Sequence, residues 1–231
     1  MSAFRPIGNC LATVAGVVTL CVWCGGCGGG GFGESVSVPR QQQTVVDSGF
    51  SPGKSLVLPQ GAAFNVADAQ RHSSGTGKAE SFAKEDGVAG CAASVSGAGE
   101  AWAEFQVGHV VFNEGQEAVS AAVLFDCEYE YTISGPQAAS PVAAAVALKL
   151  FIQDSNKTIL RKEMLVDRSG KQGADRRSGR GSPSFNITMK PGLAYHLVLA
   201  GRVSLTGSDG ALPVEAKIDV KKLTVEIQAR K

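Results

Sequence analysis

Apolar and polar side chains alternate along several stretches of the chain, and this alternation constrains the fold more than any other feature. Within residues 121–133, the odd positions from Val123 onward are Val, Phe, Cys, Tyr, Tyr and Ile. The even positions between them hold Asp126, Glu128, Glu130 and Thr132. Successive side chains of a β-strand point to opposite faces, so this segment predicts a strand with one buried face and one wet face.

Two further segments repeat the pattern. Residues 146–152 place Val, Leu, Leu and Ile at even positions, with Lys149 opposite. Residues 195–205 place Tyr, Leu, Leu, Val and Leu at odd positions, and His196, Arg202 and Ser204 lie opposite. Both segments therefore predict half-buried strands.

The alternation changes phase once, near the C-terminus. In residues 217–227, the apolar positions are even through Val220 and odd from Leu223 onward. A slip of one residue would turn every later side chain to the wrong face of a sheet. The sequence therefore predicts a β-bulge at Lys221-Lys222, where one extra residue absorbs the slip.

Turn-forming residues separate the alternating segments. They form the clusters Ser134-Gly-Pro136, Asp154-Ser-Asn156, Lys190-Pro-Gly192 and Ser208-Asp-Gly210. Helical periodicity is scarce, and seven or eight strands with such turns predict an all-β, antiparallel sandwich of jelly-roll or immunoglobulin-like type. We expect this domain to span residues 61–231, with regular strands mainly in 88–230. Residues 61–87 are weakly patterned and fit a short helical turn or a surface loop.

The N-terminus has the composition of an export signal. Arg5 is the only charged side chain before an apolar run, Leu11–Trp23, which has the length of a signal-peptide core and is short for a membrane span. Small residues then lead to Cys27 and a glycine-rich stretch. This pattern resembles the bacterial lipoprotein signal, in which a small residue precedes a cysteine that is acylated and becomes the mature N-terminus.

The resemblance implies a signal peptide at residues 1–26 and lipidation of Cys27. Cys24 is the alternative attachment point, because it stands where the family usually has an apolar residue. Residues 27–60, rich in Gly, Ser, Pro and Gln, would form a tether. The implied location is the envelope of a bacterial cell, with the membrane as a partner through the lipid.

The cysteine pattern around Cys21, Cys24 and Cys27 also matches parts of two other motifs. An iron–sulfur site of the ferredoxin type needs a further cysteine followed by proline, which the sequence lacks after Cys27. A thioredoxin-type pair lies at a helix N-terminus, whereas four glycines follow Cys27. We therefore expect no metal and no cofactor here, and the three histidines show no metal-binding spacing elsewhere.

The charge balance argues against a general nucleic-acid binder. The chain has 22 basic and 21 acidic side chains, whereas proteins that bind nucleic acids normally carry a basic excess. Hydrophobic residues make up 44% and charged residues 19%, which is typical of a folded domain. No nucleic-acid partner is expected.

Cys91 and Cys127 are the two cysteines within the predicted domain. In an oxidising compartment a disulfide between them would stabilise the domain by about 3–4 kcal/mol in the chain-entropy model. The alternative is two free buried thiols, since Cys127 lies on the apolar side of its predicted strand.

Residues 168–180 form a strongly basic segment with one acid, Asp175. One interpretation is an anion-binding surface for lipid headgroups or acidic glycans. Its candidate contacts are Lys171, Arg176, Arg177 and Arg180. The alternative is a solvated, mobile hairpin loop, which the glycines of the segment favour.

Trp102 alternates with small and apolar residues and falls on the wet face of its predicted strand, together with Glu104 and Gln106. An exposed aromatic ring beside a carboxylate can stack on a sugar ring and bind its hydroxyl groups. These three residues are therefore candidate sugar contacts. The alternative is a tryptophan that covers the edge of the sandwich.

These features favour a cell-envelope lipoprotein whose β-sandwich has a binding or structural role and no catalytic residues. Its partners would be an envelope protein or a glycan. The alternative is a secreted carbohydrate-binding or carbohydrate-active jelly-roll protein. No catalytic motif is found, although catalytic residues can lie far apart in a sequence.

Overall fold

The computed structural model describes residues 55–135, 142–170 and 174–230. Twelve strands account for its regular structure, and none of these residues is helical. The strands are β1 (Ser55–Leu58), β2 (Val66–Gly75), β3 (Lys78–Ala83), β4 (Ala89–Val95), β5 (Gly99–Phe112), β6 (Val119–Ser134), β7 (Ala143–Asp154), β8 (Ile159–Gly170), β9 (Asp175–Gly181), β10 (Ser184–Met189), β11 (Ala194–Gly207) and β12 (Val214–Ala229). The described ranges therefore contain no helix with the length and hydropathy to cross a membrane.

The strands form two antiparallel sheets. Sheet A has the order β10-β6-β12-β4-β3, with β1 also paired to β12 and β9 also paired to β6. Sheet B has the order β2-β5-β11-β7-β8. The inner faces of the two sheets share one apolar core, so the predicted antiparallel β-sandwich is confirmed.

The core uses the alternating positions that the sequence predicts. Val123 and Phe125 of β6 are buried in it, as are Leu148 and Leu150 of β7 and Leu199 of β11. These side chains point inward because a strand presents every second residue to one face. The polar residues between them lie on the outer faces of the sheets.

The predicted bulge lies where the phase of the pattern changes. The register between β12 and β6 shifts between Val220 and Lys222. Val220 and Leu223, which lie on the two sides of this shift, are both buried. The bulge accommodates one extra residue, Lys221, so both halves of β12 face the core.

The structure differs from the prediction at residues 61–87, which hold β2 and β3 and no helical turn. Both are edge strands, β2 in sheet B and β3 in sheet A. Most side chains of β2 are exposed on both faces, so the sequence shows little alternation there. β1 lies within the stretch assigned to the tether. Residues 1–54, with the predicted signal peptide, Cys24 and Cys27, lie outside the described ranges.

The predicted disulfide between Cys91 and Cys127 does not form, and both thiols are free and buried. Cys91 pairs with Ile218 and Cys127 with Leu223, on opposite edges of β12. The two cysteines are two strand spacings apart, which is about 10 Å across the sheet. Their partners Ile218 and Leu223 lie roughly 15 Å apart along β12. A disulfide needs Cα atoms within about 7 Å, so these residues cannot bond.

Candidate functional site

Sheet B presents an outer face whose side chains point away from sheet A, and we call it the outer B face. Its positions alternate with the core positions of the same strands. All five strands of sheet B contribute to it, and β8 does so through Lys162, opposite Phe151. The members from the other four strands include Asp68, Gln70 and His72; Trp102, Glu104 and Gln106; Ala147, Lys149, Phe151 and Gln153; and His196, Val198, Ala200, Arg202 and Ser204.

The pairing register brings these residues into rows across the sheet. Trp102 lies between His72 of β2 and Ser204 of β11. Glu104 lies directly opposite Arg202 in the next row. The sequence predicted that Trp102, Glu104 and Gln106 share one face, and the structure places them there together.

Trp102 has a neighbour from each adjacent strand. The ring of His72 is stacked on it, with centroids 5.9 Å apart and an angle of 27° between the planes. The guanidinium carbon of Arg202 lies 5.4 Å from the centroid of the Trp102 ring, a cation–π distance. Trp102 remains half-buried in this arrangement. The tryptophan is thus held in one orientation and keeps part of its surface open to solvent.

Glu104 and Arg202 form an ion pair on the same part of the face. A guanidinium nitrogen of Arg202 lies 3.7 Å from Oε2 of Glu104. Burial raises the pKa of the Glu104 carboxyl, and the charge of Arg202 opposes that shift. Burial, together with the charge of Lys162, lowers the pKa of Lys149 to about 8. Charged groups on this face therefore sit in a less polar environment than the open surface.

Two polar atoms of the outer B face are buried without a hydrogen-bond partner. They are Oε1 of Gln106 and Nδ1 of His196. Gln106 is only 6% exposed. A buried polar atom without a partner costs about 1–3 kcal/mol, so such atoms mark places where a ligand or another chain segment can supply the missing bond.

The basic segment lies elsewhere: it ends β8 at the edge of sheet B and continues into β9 of sheet A, where Arg176 and Arg180 lie on the outer face opposite Thr132 and Glu128. Residues 168–180 are not a loop throughout: β8 extends to Gly170, and β9 begins at Asp175 and pairs with β6. Pairing with β6 holds Arg176, Arg177 and Arg180 in a strand. Lys171 lies outside the described residues.

Arg176, Arg177 and Arg180, the three candidate contacts that the structure describes, each contact a carboxylate of the chain. Arg180 donates to both oxygens of Asp126 at 2.7 and 2.8 Å, and these bonds lower the pKa of Asp126. Nε of Arg176 donates to Glu130 at 2.6 Å, and Arg177 lies 3.3 Å from Asp175. These contacts neutralise much of the charge that an anion would meet.

The described residues do not contain a group of three or more His, Cys, Asp or Glu side chains able to hold a metal ion. Several carboxylates on the outer faces are paired with cations, as Glu104 and Asp126 illustrate. The outer B face therefore offers hydrogen-bonding groups and an aromatic surface, which are the elements of a binding site.

The sequence predicted the outward side of three strands of this face but not which strands are neighbours. His196, Arg202 and Ser204 were placed on the outer side of their strand, and Lys149 on the outer side of another. Nothing in the sequence says which strands lie side by side, so Arg202 could not be assigned to Trp102. His72 was missed because β2 carries no clear alternation.

No protein-family model matches the chain, and no curated protein matches it significantly in sequence. Among solved structures, the chain is similar to the enzymatically active domain of tailspike protein 4 from bacteriophage CBA120, with 8% identity and a TM-score of 0.27. That match covers 70% of this chain and 19% of the tailspike chain. A second match is a carbohydrate-binding module of the β-sandwich superfamily, with 11% identity and a TM-score of 0.23. It covers 67% of this chain and 55% of the module.

A third similar structure is an arabinose-bound α-L-arabinofuranosidase, MgGH51, with 13% identity and a TM-score of 0.19. The match covers 69% of this chain and 25% of the enzyme. This chain therefore spans about a fifth of the tailspike and about half of the binding module. Similarity at this level is too low to assign a function, and the functional argument rests on the outer B face itself.

Proposed function

We propose that this chain is a non-catalytic binding module and that a carbohydrate binds at the open part of its outer B face. The observation that carries the proposal is the adjacent placement of Trp102, Glu104 and Arg202 on neighbouring strands. All three side chains are half-buried, so each is fixed in position and still reachable from solvent.

The chemistry of these groups suits a sugar. An aromatic ring packs against the C–H face of a pyranose, and a carboxylate and a guanidinium can share its vicinal hydroxyl groups. The strands hold all three groups on a rigid sheet, so little side-chain entropy is lost on binding. The ion pair between Glu104 and Arg202 supplies a hydrogen-bond acceptor and hydrogen-bond donors at one place.

A screen of the purified chain against a glycan array tests this proposal. We expect binding to a subset of glycans and its loss with Trp102→Ala. Phe82→Ala is the matched control, because Phe82 is an exposed aromatic residue of sheet A. Equal binding by the Trp102→Ala and Phe82→Ala variants, or no binding to any glycan, would contradict the proposal.

A carbohydrate-active enzyme is the second candidate function, and the raised pKa of Glu104 favours it. Burial is the main cause of that shift, and the charge of Asp68 on the same face adds to it. A carboxyl group whose pKa is raised by burial is the kind of group that enzymes use as a general acid. Release of reducing sugar ends that is abolished by Glu104→Gln would support hydrolysis over simple binding.

We further propose that the module is exported and anchored to a bacterial envelope through a lipid on Cys27. This part rests on the sequence pattern of residues 1–33 alone. Incorporation of labelled palmitate in a bacterial host should be lost with Cys27→Ser and retained with Cys24→Ser. The opposite result would assign the lipid to Cys24, and no incorporation would rule out the anchor.

A further inference from the structure

We propose that a second binding site lies in a cleft between the edge strands β8 and β10 and that its ligand is a small molecule with a phosphate group. The cleft is bounded by β8 of sheet B and, in sheet A, by β6, β10 and the residue that follows β12. We call it the edge cleft, and its polar lining is Ser120, Arg161, Asn186, Thr188 and Arg230. The proposal goes beyond carbohydrate binding and does not depend on it, because none of the named residues of the outer B face lines this cleft.

The edge cleft has the size of a small-molecule site. Its volume is about 340 Å³. Ligand pockets of proteins have volumes of about 300–1,000 Å³, so this cleft has room for a single small molecule. The five polar residues of its lining are all exposed, so a ligand can reach them from solvent.

A bulge in β8 turns Arg161 toward the edge cleft. The register between β7 and β8 shifts between Ile152 and Gln153, and Leu160 is the extra residue in β8. Leu160 packs against the core, and Arg161 lies opposite Ile152, whose side chain points into the core. Two consecutive residues therefore lie on the inner side of sheet B, which a regular strand does not allow.

Two backbone carbonyls fix the Arg161 guanidinium across the gap between the sheets. Its Nη1 donates to the carbonyl of Leu160 at 2.7 Å, and its Nη2 donates to the carbonyl of Asn186 in β10 at 3.1 Å. A guanidinium carries further N–H donors besides these. The side chain is thus held in place and keeps donors for a ligand in the cleft.

Arg230 supplies a second positive charge to the edge cleft. Its backbone N–H donates to the carbonyl of Ser120 at 2.8 Å, which fixes the chain beyond β12. Neither Arg161 nor Arg230 forms an ion pair with a carboxylate among the described residues. Arg176 and Arg180 of β9, by contrast, are each paired with a carboxylate of β6. The edge cleft therefore keeps the positive charge that is neutralised beside β9.

Neutral donors complete the lining and favour a phosphate group as the ligand. Ser120 and Thr188 lie opposite each other on β6 and β10, and Asn186 lies two residues before Thr188. Their hydroxyl and amide groups can donate to an anion from one side, and the two arginines can donate from others. A phosphate presents oxygens in several directions, whereas a carboxylate presents its oxygens in one plane.

Isothermal titration calorimetry of the full chain with glucose 6-phosphate and with inorganic phosphate tests the proposal. We expect both to bind, glucuronate to bind more weakly, and glucose to give no signal. Arg230→Gln should weaken phosphate binding about tenfold or more, because it removes charge-assisted hydrogen bonds. Arg161→Gln should have the same effect.

Arg176→Gln is the matched control for net charge. Arg176 is also an exposed arginine, but Glu130 already neutralises it, so this variant should bind phosphate as the unsubstituted protein does. Arg161 bridges the two sheets, and its loss could destabilise the fold. The side chain of Arg230 is exposed beyond the end of β12, so Arg230→Gln remains a valid test in that case.

Backbone amide spectra locate the site independently of any substitution. Added inorganic phosphate should shift the amide resonances of Thr188 and Arg230 and leave that of Gly179, in β9, unchanged. Shifts confined to β9 or to the outer B face would overturn the proposal.

Three calorimetric results would also overturn it. The first is no binding of either phosphate compound. The second is equal weakening by Arg230→Gln and Arg176→Gln, which would show a general effect of net charge. The third is binding of glucose or glucuronate as tight as that of glucose 6-phosphate, which would mean that the phosphate is not recognised. Trp102→Ala should leave phosphate binding unchanged, so failure of the carbohydrate site and failure of the edge cleft can be told apart.

Discussion

Gly201 and Phe105 illustrate how a single residue decides the packing of sheet B. They lie directly opposite each other on β11 and β5. A Cβ atom on Gly201 would lie 2.2 Å from Cε1 of Phe105. The aromatic ring thus covers the glycine and uses the space that any side chain there would fill.

We expect Gly201→Ala to lower the free energy of unfolding by about 1–3 kcal/mol, because the added methyl group forces the Phe105 ring out of its place. Urea denaturation followed by tryptophan fluorescence measures the change. In a Phe105→Leu background, the same substitution should cost much less. An equal cost in both backgrounds would show that the clash with Phe105 is not the cause.

Individual residues of the outer B face were only partly predictable. Alternation placed Trp102, Glu104 and Gln106 on one side of a strand, and this side is the outer face of sheet B. Alternation gives no information on burial of that face by other segments. Gln106 was expected to be exposed to solvent, whereas only 6% of its surface is exposed.

At the scale of elements, the bulge in β12 shows what a local pattern can predict. The phase change at Lys221-Lys222 is visible in the sequence, because the buried positions on both sides must face one core. β9 shows the opposite case. Its side chains are mostly exposed, and it becomes a strand through backbone pairing with β6 and through ion pairs such as that of Arg180 with Asp126.

Deleting Lys221 should leave the protein folded. Without the extra residue, Val220 and Leu223 are separated by one residue, so both face the core and the pairing with β6 becomes continuous. Circular dichroism and gel filtration of this variant should show the native sheet. Deletion of Thr224 is the control and should abolish folding, because it turns either Leu223 or Val225 to the outer face.

Unfolding of the Lys221 deletion variant, or a native fold of the Thr224 deletion variant, would contradict this account of β12. Either result would mean that the facing of the apolar side chains does not set the register. The Lys221 deletion also removes the contact of Lys221 with Glu130 at 2.7 Å. That exposed ion pair contributes little to stability, so its loss cannot be mistaken for unfolding.

For the whole molecule, burial of histidine makes stability depend on pH. His109 is 1% exposed, and both its ring nitrogens lack a hydrogen-bond partner. Burial lowers the pKa of His109 and of His196 below the usual histidine value. The folded protein therefore binds fewer protons than the unfolded chain in mildly acidic solution.

We expect the free energy of unfolding to be level above about pH 7 and to fall as the pH drops below about 6.5, where unfolded histidines gain protons. Each buried neutral histidine contributes up to about 1.4 kcal/mol per pH unit. Urea denaturation between pH 5 and pH 8, about the range in which histidine titrates, measures the slope.

His109→Gln should reduce this slope. The difference between this variant and the unsubstituted protein separates the contribution of His109 from that of the acidic groups. A slope in His109→Gln equal to that of the unsubstituted protein would show that His109 binds protons equally in both states.

Alternation in the sequence was sufficient to predict the antiparallel β-sandwich, the core residues of its central strands and the place of the bulge in β12. Each of these follows from alternation along one strand, which is a local property. The tertiary structure decided which strands are neighbours, and so placed Arg202 beside Trp102 and kept Cys91 away from Cys127. It also decided that Phe151 and Val198 are buried on the outer B face, because pairing and burial depend on segments far apart in the chain.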